Sequence, residues 1–264
     1  MAHHSTGPRR RGVQSVDRAL DILSALSAAY PRLQLSELAE VAGLPKTSTH
    51  RIAVTLVARG FLRQEDDGAY VLGTRLLELG SLVSTTTALA HLTQGVAAEL
   101  ARATGETVLI AEVDWRDRSL IITGRRELGP SPEALSSIGQ RSVLANGCIS
   151  GAILSALPPE ETKRIVPQLR LAQRTPLSIT DPGALLQEIE ASRTRGYAIE
   201  NDQFIEGIAG VAVPILVAGR PAGAVAVCGP TVRMPRRRLE SIAALIQELR
   251  SRAAHSTVPP RTGT

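Results

Sequence analysis

The sequence predicts a mixed fold in two parts, a small N-terminal helical domain with a two-stranded wing and a larger α+β domain. Three observations predict it. Residues 13–59 carry three short helical patterns, with a glycine-marked turn before the third. Two alternating strand runs close on Asp67-Gly68 immediately after them. Beyond residue 90, hairpins and helices mix without any βαβ repetition. A chain of 264 residues is long enough for one large domain or two modest ones.

The first helix is expected to begin after Ser15, a capping hydroxyl, with Asp17 in the favoured first turn. Val16, Leu20, Leu23 and Leu26 or Ser27 give it a buried stripe, and Pro31 ends it. The second starts at Ser36 and stops at Gly43, which tolerates the left-handed conformation past a helix end. The third opens with Pro45 and runs to about Arg59, with Thr49, Ile52, Ala53 and Leu56 inward. Lys46, Thr47, His50, Arg51 and Val54 then face outward, with Ser48 beside them. This is a winged helix-turn-helix, and that outward face supplies what a helix in the major groove needs: donors for phosphates and guanine edges, and a methyl for thymine. A solvated helix face has the same composition; the helix-glycine-helix spacing separates the two. The wing pairs Phe61–Gln64 with Tyr70–Leu72 around Glu65-Asp66-Asp67-Gly68. Its acidic tip repels phosphate, so Arg63 or the backbone is the expected contact. Residues 1–12 read as a disordered basic arm in which Arg9, Arg10 and Arg11 add phosphate contacts.

Composition narrows the alternatives. Hydrophobic residues at 43% and charged residues at 21% are ordinary for a globular chain, and only 2% aromatics means an aliphatic core. A net charge of +5 suits a nucleic-acid partner without proving one. No apolar run reaches membrane-spanning length and no signal-peptide h-region is present, so a cytoplasmic protein with no membrane partner is expected. Cys148 and Cys228 cannot build a disulfide framework or a structural zinc site alone, and read as two small buried residues; no metal is expected. None of His3, His4, His50, His91 and His255 lies near either cysteine in sequence, and there is no P-loop or His-Glu-x-x-His. An enzyme and a cofactor are therefore not expected. An adaptor whose helix-turn-helix serves protein contacts stays open.

The chain resembles the IclR family of bacterial transcription regulators. In the first half the matching residues are Val13–Leu23, Leu35–Ala39, Gly43–Arg51, Arg59-Gly60-Phe61-Leu62, Tyr70-Val71-Leu72-Gly73 and Arg75-Leu76-Leu77-Glu78-Leu79-Gly80. In the second they are Gly105-Glu106-Thr107-Val108, Ile138-Gly139, Leu157-Pro158-Pro159-Glu160-Glu161, Ile179-Thr180-Asp181, Arg195-Gly196-Tyr197 and Gly229-Pro230. Single blocks are weakly specific; the ordered series covers nearly the whole chain. The resemblance implies a winged helix-turn-helix domain, a connecting helix and a C-terminal effector-binding domain with a GAF-like antiparallel sheet. It further implies homodimers, often dimers of dimers, on a palindromic double-stranded DNA operator, tuned by a small-molecule effector.

The resulting division is residues 13–73 for the reader, 74–90 for a linker helix, 91–254 for the effector-binding domain and 255–264 for a disordered tail. In the linker, Leu76, Leu77, Leu79 and Leu82 form a stripe that needs a partner, and a second chain is the favoured one. Ser84-Thr85-Thr86-Thr87 weakens helix propensity and is the candidate hinge. Hairpins are expected from Thr107–Val113 with Ser119–Gly124, and from Ile208–Val217 with Ala222–Cys228 around Ala218–Pro221. Helices are expected at His91–Thr104, at Asp181–Arg195 between an aspartate cap and Gly196, and at Pro235–Arg252.

The resemblance implies three segments as candidates to line a pocket, as their family counterparts do. The first is Leu144-Ala145-Asn146-Gly147-Cys148, where free amides at a helix start suit a carboxylate. The second contains Glu200 and Asp202, either of which is equally well read as a solvated loop charge. The third is Gly210 with Ala226 and Cys228. Many relatives carry a cysteine in place of Gly210, serines in place of Ala226 and Cys228, and a glycine-lysine pair in place of Ser150-Gly151. The resemblance therefore implies a roomier pocket with fewer hydroxyls, favouring an aromatic or apolar carboxylate over a small keto acid.

Overall fold

The computed structural model describes residues 12–27, 29–86, 88–129, 132 and 135–256. Arg9, Arg10, Arg11 and the 257–264 tail lie outside the described residues. The chain divides into two compact units, Met1–Val83 and Ser84–Thr264.

The first unit holds helices α1 (Gln14–Ala25), α2 (Leu35–Ala42) and α3 (Lys46–Ala58), then the antiparallel pair β1 (Leu62–Gln64) and β2 (Tyr70–Leu72). Its core is Ile22, Leu26, Leu33, Leu38, Ala53, Leu56, Leu62 and Tyr70. Helix α1 departs from expectation. It starts at Gln14 after Val13, so Ser15 is inside the helix and does not cap it. It ends at Ala25, well before Pro31, because Leu26 is already extended. The helix carries two apolar stripes offset by one residue, and only one can face the domain. Ile22, Ala25 and Leu26 are buried, whereas Val16 and Leu20 remain 53% and 55% exposed. Helix α2 is preceded by Gln34, not capped by Ser36; the Gln34 amide donates to the Glu37 carboxylate at 2.7 Å, half of a capping box. It stops at Gly43 with φ +67°, as the sequence requires. Pro45 is the residue before α3, and its carbonyl accepts from the Thr49 hydroxyl at 3.1 Å.

Helix α4 (Arg75–Thr86) continues through Ser84, Thr85 and Thr86, so those residues are helical, and the division between the two units falls at the start of the run, between Val83 and Ser84; Thr87 lies outside the described residues. Its leucine stripe is largely exposed: Leu77 is 75% and Leu82 62% exposed, and Leu76 is half-buried.

The second unit is built on one six-stranded sheet, order β5-β4-β3-β8-β7-β6, antiparallel at every pairing. The strands are β3 (Thr107–Asp114), β4 (Ser119–Arg126), β5 (Arg141–Val143), β6 (Ala198–Asn201), β7 (Ile208–Val217) and β8 (Arg220–Pro230). Period-two alternation gives the sheet two different faces. Val211, Val213, Val225 and Val227 pack beneath α5 (Ala88–Thr104) and α9 (Arg236–Ser256). Ala212, Ala224, Ala226 and Cys228 point the other way, under α6 (Cys148–Ser155), α7 (Pro159–Ile165) and α8 (Pro182–Arg195). These small side chains let α6 lie close to the sheet. The β7–β8 turn is only Ala218-Gly219, both with positive φ (+49° and +77°), so Arg220 and Pro221 belong to the strand and not to the turn. Helix α8 is as read from sequence: the Asp181 carboxylate accepts from the Ala184 amide at 2.7 Å and Gly196 is left-handed. Among the described residues, no helix is long and apolar enough to cross a membrane.

Candidate nucleic-acid interface and ligand cavity

In the first unit, Thr49 and Ala53 are fully buried, with Leu56 behind them, and this fixes the rotation of α3. Lys46, Thr47, His50, Arg51 and Val54 are thereby exposed on one face, and Ser48 is half-buried at its edge. Ser48 and Arg51 border a groove between α1 and α3 whose α1 side carries Gln14, Ser15 and Arg18. On the wing, Arg63 is exposed and pairs with Glu65 at 2.6 Å. Asp67 pairs with Arg32, and that hydrogen bond, helped by the Ala69 amide, holds its carboxyl below the usual range. The acidic tip is thus pinned in its charged form. A phosphate can displace Glu65 from Arg63, but it cannot approach Asp67 without opposing charge.

In the second unit a small cavity of about 30 Å³, part of it open to solvent, lies between α6 and the sheet. Leu109, Leu120, Ile122, Leu135, Ile149 and Ile205 make its aliphatic wall. Ser136, Ser142, Phe204, Asn146, Gly147, Ser150, Cys148, Glu200 and Cys228 complete it, and no Arg, Lys or His is among the described lining residues. Cys148, the first residue of α6, lies 3.8 Å from the Glu200 carboxylate, sulfur to oxygen. One donor atom each from Cys148, Glu200 and Cys228 fall within 4.8 Å of one another, all buried. Gly210 makes that convergence possible: a Cβ there would stand 2.9 Å from the Cys228 sulfur and 3.0 Å from that of Cys148.

Burial pushes the Glu200 carboxyl up to about 7, against the opposing pull of the Cys148 thiol and amide. The hydrogen bond to Cys228, and then burial, push the Cys148 thiol well above its ordinary range. A protonated, enclosed thiol is a poor nucleophile. Two sulfurs and a carboxylate suit a zinc-like ion in chemistry, although among the described residues the cluster stops at three donors. Among the described residues, three buried polar atoms on the cavity wall have no hydrogen-bond partner: Asn146 Oδ1, Ser150 Oγ and Glu200 Oε2.

The sequence-predicted cavity residues sort into three groups. Asn146, Gly147, Cys148, Glu200 and Cys228 come together on the wall. Leu144 and Ala226 are fully buried in the core, and Gly210 lies beneath the two sulfurs, so none of these three lines it. Asp202 does not face the cavity. It sits just past β6 with φ +57°, and its carboxylate accepts from the Gly207 amide at 2.6 Å and the Thr231 hydroxyl at 3.2 Å. It ties a turn. The start of α6 is also not a free carboxylate site, because the chain's own Glu200 carboxyl already faces it, 3.1 Å from where a Cβ on Gly147 would stand. Sequence reasoning missed the apolar wall from β3 and β4 and the two serines at 136 and 142. The sequence placed Leu109, Leu120 and Ile122 in a hairpin, but gave no sign that a helix leaves a gap above them.

The sequence and the fold match one known group of proteins. A model described as bacterial transcriptional regulator IclR, C-terminal, matches residues 82–255, and the IclR helix-turn-helix domain matches residues 15–66. The chain belongs to the IclR family of bacterial transcriptional regulators. It is 31% identical over 239 residues to the HTH-type transcriptional regulator BhcR of Paracoccus denitrificans, covering 90% of this chain and 85% of that one. The crystal structure of the Thermotoga maritima IclR protein superposes with TM-score 0.75 at 26% identity, covering 92% of this chain and 98% of the other. An IclR homolog from Microbacterium hydrocarbonoxydans, crystallised with 4-hydroxybenzoate, shares the fold with TM-score 0.78 at 21% identity, covering 91% and 99%. As an IclR-family member the chain is a transcription regulator with an N-terminal DNA-binding domain and a C-terminal effector-binding domain.

Proposed function

We propose that two copies of the chain read a palindromic operator with α3, and that occupancy of the α6 cavity by a small molecule sets how firmly they hold it. The observation that carries this is the rotation of α3: buried Thr49 and Ala53 leave Lys46, Thr47, His50 and Arg51 together on an open face. Lys46 and the arginines neutralise phosphates, and Arg51 reaches a guanine edge with two parallel donors. Arg63 adds a backbone contact from the wing. The second copy is supported by large apolar side chains left exposed among the described residues, Val16 and Leu20 on α1 and Leu77 on α4. A ligand shifts DNA affinity only through different affinities for two arrangements of the protein.

The test begins with genomic fragments captured by the purified protein. Binding to a captured fragment should weaken steeply with salt, and Arg51→Ala should lower its preference over random duplex by about 1–3 kcal/mol. An unchanged preference in Arg51→Ala would show that the reading face is misassigned.

A further inference from the structure

The polar atoms of the cavity specify what it can hold. Asn146 is oriented by its own amide nitrogen, which donates to the Ala172 carbonyl at 3.2 Å. Its carbonyl oxygen is left buried and unpartnered. Glu200, 6% exposed, likewise has one carboxylate oxygen with no partner. Both are acceptors, and a buried acceptor without a donor is costly. No cationic side chain is among the described lining residues; Arg174, stacked on the Phe204 ring with its guanidinium carbon 4.2 Å from the centroid, is not one of them. An incoming carboxylate would therefore bring a further acceptor and, wherever Glu200 is ionised, a second negative charge beside it, into a wall of leucine and isoleucine. The Cys148 amide at the start of α6, where an anion would otherwise be held, is already directed at Glu200.

We propose that the cavity takes a non-anionic organic molecule, an amine or an alcohol with an apolar body, which donates N–H or O–H hydrogen bonds to Asn146 and Glu200. The inference rests on the reading of this cavity as the effector site and names its ligand class. Ser150, whose hydroxyl is also unpartnered, can donate or accept and completes the set. An ammonium group pairs with Glu200 and offsets the cost of its burial; a hydroxyl satisfies both acceptors without a charge. The apolar part lies against Leu109, Leu120, Ile122 and Leu135.

Three probes of one size and differing polar group separate the possibilities: benzylamine, benzyl alcohol and benzoate, titrated calorimetrically into the full-length protein at fixed ionic strength. Benzylamine and benzyl alcohol should each bind at least about tenfold more tightly than benzoate. Glu200→Gln should remove most of the benzylamine advantage while leaving benzyl alcohol within a few-fold. The wild-type ranking stands without the variant, so poor folding of Glu200→Gln does not decide the outcome. Benzoate binding as tightly as either donor probe, and displaced by them, would overturn the donor class while leaving the cavity as the effector site. Absence of saturable binding by all three at millimolar concentration would overturn both.

Discussion

A carboxyl group enclosed by aliphatic side chains destabilises the fold whenever it is ionised. Glu200 is such a group, raised by burial from the ordinary 4.5 to about 7. The folded state therefore holds this proton more tightly than the unfolded state does. The stabilising contribution is fully present below about 4.5 and is lost as pH rises through about 7. Glu200→Gln keeps the shape and removes the ionisation. Its melting temperature should exceed that of the parent protein above pH 7, and the difference should shrink toward zero below pH 4.5. Parallel melting curves across that range would show that Glu200 is not the titrating group. Gly210 allows a second residue-scale test. Since a Cβ there meets both sulfurs at about 3 Å, Gly210→Val should destabilise by about 1–3 kcal/mol and abolish ligand binding in calorimetry. Unchanged binding would place the ligand elsewhere. The sequence could not rank Glu200 against Asp202, two acids on the same strand parity. What separates them is register: Glu200 pairs opposite Gly210 inside the sheet, whereas Asp202 falls beyond the last paired residue and turns into the left-handed region.

At the scale of elements, caps and turns were legible where a single residue type dictates them. Gly43, Asp181 and Gly196 act as the sequence requires, because a left-handed helix end or an aspartate cap has few substitutes. Helix α1 was misread for a physical reason. Its two apolar stripes give periodicity no basis for choosing the one that faces the domain, and Val16 and Leu20, expected inside, are outside. Those residues and the α4 leucines lead to the same prediction. Replacing Leu77 and Leu82, both well exposed, by glutamate should leave the melting temperature nearly unchanged yet shift the protein to monomers in sedimentation equilibrium. Retention of the parent's oligomeric state would remove α4 from the interface. Helix α4 also shows propensity losing to context, since Ser84, Thr85 and Thr86 remain helical despite their β-branched and hydroxyl character.

For the whole molecule, fold class and family were readable because ordered blocks run along nearly the entire chain, and the two family models fall on the two units in the same order. The cavity was only half readable. Its polar residues lie in recognisable segments, but its wall is ordinary sheet core distinguished solely by what α6 fails to cover. Small residues on one sheet face and valines on the other are visible in hindsight as the device that seats α6 and leaves that gap. The central claim is that the exposed face of α3 reads duplex DNA. The most direct measurement is competition binding, at one fixed salt concentration, between a captured genomic fragment and random duplex of equal length. The parent protein should favour the genomic fragment by about a thousandfold or more. Equal affinity for the two duplexes would contradict the account.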